Sequence, residues 1–346
     1  MSKIFKFVFQ WLRWLVYTND VKALWAAQPS YLISQAVYLL AGVVTLLHAF
    51  RKGGRWPYFW LATVLHGLYA DNFWHFVLPD YDNFWHSQTP VMLLGGRLPL
   101  HIIFLYPAFI YHAAYAVSKL NLPRYAQPFA VGLLTVLIDI PYDIVAVKFV
   151  HWTWHDTDPN VYDRHYWVPW NSYYFHSTFA ASLMFFFQAS RKWMAPKVAD
   201  WESAGKKTEW KALAIASLLG MPGGVLMFVP LYHPLHDQLK IHSEVTFFLL
   251  FGIFAVIILN GLLSEREKSK DRWGHHPRVA DPVKPFNPFL EEFHVKVPLE
   301  PHSSRPIWLQ GVRMNSLSVA NYLALHFVSG GLRIFASTSA NAEQLH

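Results

Sequence analysis

The sequence predicts an all-α protein, a polytopic transmembrane bundle of about seven spans with an interfacial N-terminal helix and an extramembrane C-terminal tail. Of its 346 residues, 53% are hydrophobic and 15% are charged, whereas soluble domains carry about 25% charged residues. Apolar stretches of about 20 residues, the length that crosses a bilayer, recur along the chain. The 16 Trp and 17 Tyr belong to types that favour the membrane–water boundary.

Seven stretches have the length and composition of spans. They are residues 30–50, 57–78, 98–118, 126–150, 171–190, 211–232 and 243–264. The preceding stretch, 4–17, is apolar but interrupted by Lys6 and Arg13, a pattern typical of a helix that lies in the interface. We therefore divide the chain into an interfacial segment (1–27), a transmembrane domain (28–264) and a tail (265–346).

The tail differs in composition from the rest of the chain. Residues 265–306 are charged and rich in proline. Residues 317–336 are moderately apolar but contain Asn321, His326 and Arg333, which favours a surface or partner-facing helix over an eighth span. The N-terminal helix and the tail are the segments through which we expect contacts with subunits of a membrane complex. Membrane lipid is the other expected partner. No basic–aromatic pattern for nucleic acid is present.

The loop charges predict the orientation. We call the side that holds the N-terminus side A and the opposite side side B. The loops on side B are the more basic, with Arg51, Lys52, Arg55, Lys119, Arg124, Arg191, Lys192, Lys197, Lys206 and Lys207. Short basic loops remain in the cytoplasm. We therefore expect an integral, multi-pass protein with a luminal or exterior N-terminus and a cytoplasmic C-terminus.

A pentapeptide, DNFWH, occurs twice on the expected side A, at 71–75 and 82–86. It contributes Asp71, His75, Asp82 and His86. Nearly all the remaining acids and imidazoles of the spans map to the same side, namely His101, Asp139, Asp143, His151, His155, Asp156, His165 and His176. Ionisable groups at membrane depth are costly, and they mark functional sites by default. The alternative is a buried network that only orients the helices.

Asp139 and Asp143 are four residues apart on one predicted helix, so their side chains share a face. Pro141 lies between them and frees a backbone carbonyl. Two neighbouring carboxyl groups at partial depth do not both ionise cheaply, so one would retain a proton and could donate it to a substrate. In the alternative interpretation, each Asp simply hydrogen-bonds a neighbouring His.

The same side offers candidate metal ligands. Because Cys is absent, a site for Zn or Fe would need imidazoles and carboxylates. The candidate ligands are His75, His86, His151 and His155, with Asp71, Asp82, His101, Asp156 and His165 supporting them. No HExxH motif is present, and the DTDPN stretch at 156–160 is also typical of a turn. Trp152, Trp154 and Trp170 would either wall a lipid or polyene pocket or form an interfacial aromatic belt.

Two resemblances extend this interpretation. The string DIPYDIVAVKFVHWTW at 139–154 resembles a segment of the membrane-bound carotenoid hydratases, although Ile144 and Val150 depart from its pattern. That resemblance implies acid-initiated hydration of an isoprenoid, with Asp139 or Asp143 as the acid and His176 positioning or deprotonating the water. The whole body, with DNFWH and HDTDPNVYDRHYWVPW, also resembles an uncharacterised family of eukaryotic polytopic membrane proteins.

Three classes of function follow from these patterns. The first is a membrane-embedded enzyme whose Asp/His cluster on the non-cytoplasmic side carries out acid–base, hydratase-like or metal-assisted chemistry on a lipid or isoprenoid. The second is a non-enzymatic accessory subunit of a membrane complex, or a lipid or pigment carrier. The third is a haem or ion-conducting protein with His66, His101 or His176 as ligands.

Overall fold

A computed structural model describes residues 10–77, 84–154, 163–199, 202–275, 307–309 and 312–314. Side chains are described for residues 10–70, 85–154, 163–199 and 202–265. The chain divides into two units, Met1–His275 and His276–His346. The described part of the second unit is a hairpin of β8 (Ile307–Leu309) and β9 (Val312–Met314).

The first unit is mostly helical. Its helices are α1 (Val21–Ala27), α2 (Pro29–Lys52), α3 (Trp56–Val77), α4 (Leu100–Tyr106), α5 (His112–Val117), α6 (Gln127–Lys148), α7 (Trp170–Met194), α8 (Lys206–Tyr232) and α9 (Ser243–His275). A π-helical segment, Pro107–Tyr111, joins α4 to α5, and a second, His233–Gln238, extends α8. Each begins at or next to a proline, which has no backbone N–H to donate to the regular helical pattern.

Within the described residues, each of the seven apolar stretches lies mostly on helix. Within the described residues, five helical segments are long and apolar enough to cross a membrane. They are Pro29–Lys52, Leu100–Val117, Gln127–Lys148, Lys206–Gln238 and Ser243–Glu265. The chain is therefore an integral, multi-pass membrane protein by length and composition of its helices.

The structure is mostly helical, as expected of an all-α bundle, except at one end, which we call end A because it contains the side A loops. Short strands occur there: β1 (Val16–Thr18), β2 (Phe84–His86), β3 (Val91–Leu93), β4 (Leu98–Pro99), β5 (Trp152–Trp154), β6 (Arg164–His165) and β7 (Val168–Pro169). They form an antiparallel sheet in the order β1-β3-β4 and the pairs β2-β5 and β6-β7. Strand pairing satisfies loop backbone groups that helices do not cover.

The two copies of DNFWH adopt different structures. The first lies within α3, whereas the last three residues of the second form β2. There Trp85 lies opposite Thr153, and His86 lies opposite Trp152. The first copy continues an apolar helical run. The second follows that run and pairs its backbone with the WTW sequence of β5.

The terminal segments differ in part from the prediction. Residues 10–15 are helical, but the expected interfacial helix ends there because Tyr17 lies in β1, opposite Met92. Helix α9 continues past the expected boundary at 264 as far as His275. The predicted helix at 317–336 lies outside the described residues.

Helix α7 lies inside the bundle and packs against α6, α8 and α9. Small residues permit this close packing. A Cβ atom at Gly132 of α6 would lie 2.3 Å from the carbonyl oxygen of Ser177 on α7. At the opposite end, end B, the Arg191 Nε of α7 donates hydrogen bonds to both carboxylate oxygens of Glu209 on α8, at 3.1 and 3.0 Å. These contacts fix α7 relative to its neighbours.

Candidate functional site: a buried Asp–Asp–His cluster

Asp139 and Asp143 on α6 and His176 on α7 come together in the end A half of the bundle. One ligand atom from each side chain lies within 4.8 Å of the other two. Among the described residues, this is the only group of three acid or imidazole side chains that converge so closely. The single helical turn between the aspartates and the packing of α6 on α7 produce the arrangement.

The three members differ in exposure and in hydrogen bonding. Asp139 and Asp143 are 1% and 3% exposed, whereas the His176 side chain keeps 22% exposure. Ser172 Oγ donates a hydrogen bond to Asp143 Oδ2 at 2.8 Å. Among the described residues Asp139 has no hydroxyl donor; its carboxyl group shares a side-chain hydrogen bond with that of Asp143, and His176 Nε2 lies 3.4 Å from its Oδ2. The cluster is thus approached from the His176 side.

Ser172 was missed by the sequence analysis. It precedes His176 by four residues in the first turn of α7, so the two side chains share a helix face. A hydroxyl one turn before a candidate histidine was the available signal. Its hydrogen bond to Asp143 links α7 to the acid pair at a second point.

Next to the acid pair lies a set of buried rings, Tyr31, Tyr38, His101, Tyr142 and His151, which we call the imidazole–tyrosine cluster. Tyr31 stacks on His151 with ring centroids 4.5 Å apart and meets the edge of His101 at 5.3 Å. Tyr38 lies 6.4 Å from His101 and 4.8 Å from Tyr142. The members come from α2, α4, α6 and the residues just before β5.

Only some of the predicted metal ligands have side chains within the described residues. The side chains of Asp71 and His75, and all of Asp82, His155 and Asp156, lie outside the described residues. His86 and His151 each interact electrostatically with His101. The three ligand atoms that converge among the described side chains belong to Asp139, Asp143 and His176, and the metal site at His75, His86, His151 and His155 stays a prediction.

Burial explains the state of the two imidazoles outside the spans. It lowers the pKa of His86 to about 3 and the pKa of His151 to about 4. Both rings are therefore neutral at neutral pH. A neutral imidazole has one nitrogen that donates and one that accepts a hydrogen bond.

The three predicted tryptophans separate. Trp152 is buried and lies 5.3 Å from Tyr142 and 5.7 Å from His86, beside the imidazole–tyrosine cluster. Trp170 is buried elsewhere, stacked on His165 at 4.9 Å. Trp154 packs against the core formed by α6, α7, α8 and α9. Trp152 is thus the one of the three that borders the candidate site through described ring contacts.

His165, predicted as a supporting residue, lies 3.2 Å through Nδ1 from the hydroxyl of Tyr173. Tyr173 lies on the α7 face that approaches the acid pair, with which its hydroxyl interacts electrostatically. His165 is therefore linked to the acid pair through Tyr173.

A second polar group, which the sequence analysis did not single out, closes end A. Asp163 accepts hydrogen bonds from the backbone N–H and the hydroxyl of Ser243, at 3.0 and 2.7 Å. His236 Nε2 lies 3.0 Å and His242 Nε2 3.1 Å from its carboxylate oxygens. Burial alone would raise the pKa of Asp163, but these partners hold that pKa below its usual value. The group ties the loop before β6 to the junction of α8 and α9.

The geometry of the Asp139–Asp143–His176 cluster supports two kinds of chemistry. Two carboxyl groups and an imidazole within contact can store and transfer a proton. The same donor set of oxygens and one nitrogen suits a divalent cation such as Zn or Fe. In the first case a proton, and in the second a metal cation, balances the negative charge of the two buried carboxyl groups.

Comparison with known proteins places the chain in one family. A family model described as a domain of unknown function (DUF7802) matches residues 1–283. No curated protein and no solved structure matches the chain. The match covers the helical unit and both aspartates of the cluster. The chain therefore belongs to the DUF7802 family.

Proposed function

We propose that the protein is a membrane-embedded enzyme in which Asp139, Asp143 and His176 carry out acid–base chemistry on a lipid or isoprenoid. The observation that supports this most strongly is the convergence of these three side chains inside an apolar bundle. Ionisable groups at such depth are retained mainly where they perform a function. Bundle architecture alone would be served as well by apolar residues.

The proposed topology has seven spans, with α3 and α7 added to the five apolar helical segments. Helix α7 carries several polar residues, but sixteen of its residues, among them Ser172, Thr178 and Gln188, are buried by neighbouring helices. Buried polar side chains of this kind do not meet lipid. At 25 residues, α7 is roughly 37 Å long, which exceeds a hydrocarbon core of about 30 Å.

We assign the acid role to Asp139. The hydrogen bond from Ser172 favours a carboxylate at Asp143, because an ionised carboxylate is the better acceptor. Asp139 has no hydroxyl donor among the described residues and shares a hydrogen bond with Asp143 alone, so we place the proton of the pair on Asp139. A neutral acid in an apolar site is suited to donate a proton to a weakly basic substrate.

The resemblance to carotenoid hydratases suggests a specific reaction. Asp139 transfers its proton to one carbon of an isoprenoid C=C bond, and the π electrons form the new C–H bond and leave a tertiary cation. Water adds to the cation while His176 accepts one of the water protons, which yields a tertiary alcohol. The 3.4 Å contact between His176 Nε2 and Asp139 Oδ2 then allows His176 to return that proton to Asp139.

A second candidate is metal-assisted chemistry at the same cluster, which the donor set favours. Asp139, Asp143 and His176 would hold the cation, and a bound divalent metal would supply a more acidic water. The burial of Asp139 without a hydroxyl donor among the described residues fits this interpretation, because metal ligation would stabilise a buried carboxylate. Elemental analysis of purified protein distinguishes the candidates. One equivalent of Zn or Fe that is lost in His176→Ala supports the metal, and a metal-free protein that remains active supports the acid.

The proposed function is tested by comparing lipid extracts of cells that express the wild-type protein, Asp139→Asn or Asp143→Asn. We expect a lipid or isoprenoid species to change in abundance only with the wild-type protein. Asp20→Asn is the matched control. It makes the same acid-to-amide change at the N-cap of α1, far along the chain from the cluster. Equal melting temperatures would show that the variants fold. Identical lipid changes in wild type and both variants would contradict the proposal.

A further inference from the structure

The imidazole–tyrosine cluster contains buried polar atoms that the described residues leave unpaired. They are both ring nitrogens of His101, Nδ1 of His151 and the hydroxyl of Tyr31. His101 and Tyr31 are each 1% exposed. A buried polar group that is left unsatisfied destabilises the fold. Four such atoms in one connected set therefore require a function or a bridging partner.

The cluster is continuous from the acid pair towards end A. Tyr142 lies on α6 between Asp139 and Asp143, and Tyr38 interacts electrostatically with both aspartates. Tyr38 and Tyr142 contact one another, and Tyr38 contacts His101. Tyr31 then lies between His101 and His151. Each member thus has a neighbour within ring contact on the way from the acids.

The outer end of the cluster reaches a partly exposed residue. His151 Nε2 lies 3.3 Å from the hydroxyl of Ser30, which stands in the first turn of α2 at end A. In the opposite direction, the buried hydroxyls of Ser177 and Thr178 bond carbonyls of their own helix, and apolar residues such as Ala180 and Leu183 follow. The connected ring contacts from the acids therefore lead to end A.

Imidazole and phenol are chemically suited to carry protons. A neutral imidazole accepts a proton on one nitrogen and releases one from the other, and a phenol hydroxyl both donates and accepts. Polar groups that converge in a protein interior are ordinarily bridged by ordered water, which completes such a chain. No Lys or Arg belongs to the cluster, so an anionic headgroup has no counter-charge within it.

We propose that the imidazole–tyrosine cluster is a proton conduit that connects the Asp139–Asp143 pair with the aqueous phase at end A. This inference rests on the proposed function, because it concerns how the proposed acid exchanges its proton. The step is a transfer of H⁺ alone: each group accepts one proton and releases another, and no bond other than O–H or N–H changes. His101 and Tyr31 are positioning residues in this scheme, since they do not touch the reacting atoms.

The conduit is tested by infrared spectroscopy of the purified protein in lipid nanodiscs. A protonated carboxylic acid gives its own C=O band, which the Asp139→Asn variant assigns. On transfer to D₂O this band shifts as the acid exchanges its proton. We expect rapid exchange in the wild-type protein. In His101→Phe and Tyr31→Phe we expect exchange to slow about tenfold or more, the effect of a barrier higher by about 1.36 kcal/mol.

Both substitutions keep an aromatic ring in place and remove the proton-carrying group. His48→Phe is the matched control, because His48 is also an imidazole that contacts a tyrosine hydroxyl, Tyr111 at 2.7 Å, but it lies outside the cluster. Unchanged exchange in both cluster variants would overturn the conduit, as would equal slowing in His48→Phe. Absence of any protonated-acid band in the wild-type protein would instead overturn the assignment of Asp139 as the acid.

Discussion

At the scale of single residues, the aspartates near end A differ in their hydrogen-bond partners. Asp143 has a hydroxyl donor in Ser172, and Asp163 has four donors. Among the described residues, Asp139 shares its hydrogen bond with the carboxyl group of Asp143. Because an ionised carboxylate only accepts hydrogen bonds, two carboxyl groups share one when a proton remains on the pair.

The Ser172–Asp143 hydrogen bond is expected to stabilise the fold as well as the site. Ser172→Ala leaves a buried carboxylate without its donor, and we expect it to lower the free energy of unfolding by about 1.5–3 kcal/mol. Ser177→Ala is the matched control, because the hydroxyl of Ser177 bonds only carbonyls of its own helix. Denaturant titrations of both variants check this. Equal losses would contradict a special role for Ser172.

The acid stability of end A depends on two lowered pKa values that have different causes. Burial lowers the pKa of His151, and hydrogen-bond partners lower the pKa of Asp163. His151 has a pKa of about 4 when folded against 6.5 when unfolded, so the unfolded state binds more protons and stability falls between pH 6.5 and 4. Asp163 has a folded pKa below 3.8, so its stabilising contribution is present above pH 3.8 and is lost as the pH falls through the folded value.

Melting temperatures measured from pH 7 to pH 3 check both windows. We expect His151→Phe to flatten the decline between pH 6.5 and 4. Asp163→Asn should lower the melting temperature at pH 7 and approach the wild-type value at the most acidic pH. A His151→Phe profile parallel to that of the wild type would show that His151 does not contribute in this range.

At the scale of elements, the contact between α6 and α7 positions the site. Asp139 and Asp143 come from one helix and His176 from the other, so a small change in separation alters all three distances. Gly132 allows the backbones to approach, since a Cβ there would also lie 3.0 Å from the Cβ of Ala181. The site thus depends on a glycine about two turns away along α6.

Gly132→Ala is therefore expected to destabilise the protein by about 1–3 kcal/mol through overpacking. Gly252→Ala is the matched control, because no atom lies within 4 Å of a Cβ at Gly252 and alanine is the better helix former by about 1 kcal/mol. Thermal unfolding in detergent should give a melting temperature below that of the wild type for Gly132→Ala and above it for Gly252→Ala. An unchanged melting temperature in Gly132→Ala would contradict the close packing.

The elements also show which features the sequence could predict. Apolar length predicted the helices because spanning a bilayer requires it, and the spacing of Asp139 and Asp143 predicted their common face. The strands of end A were missed because a segment as short as Trp152–Trp154 is too short to show the alternation of apolar and polar residues that identifies a strand. The contact of Tyr31 with His101 and His151 was missed because it depends on how α2 crosses α4, which local pattern does not specify.

At the scale of the whole molecule, the central question is how many helices cross the membrane. Between the loop after α5 and the loop after α8 lie α6, α7 and α8. If all three are spans, these loops face opposite sides. If α7 is not a span, they face the same side. The exposed aromatic residues Trp11, Trp14 and Trp25, which are 50%, 39% and 55% exposed, suit the interface at end A.

Single cysteines test this topology without background, because the chain has no Cys. Leu120 and Leu239 are 49% and 67% exposed in the two loops, so Leu120→Cys and Leu239→Cys form a matched pair. In sealed vesicles with the cytoplasmic face outward, we expect an impermeant maleimide to label Leu120→Cys at once and Leu239→Cys only after detergent. Labelling of both before detergent would exclude α7 as a span.

The central claim is that the buried Asp139–Asp143–His176 cluster adds water to a membrane lipid or isoprenoid, and the most direct test uses water labelled with ¹⁸O. Purified protein in nanodiscs is incubated with a lipid extract in labelled water, and the products are analysed by mass spectrometry. The account predicts an ¹⁸O-labelled product with the wild-type protein and none with Asp139→Asn or Asp143→Asn. A labelled product that both folded variants form at the wild-type rate would contradict it.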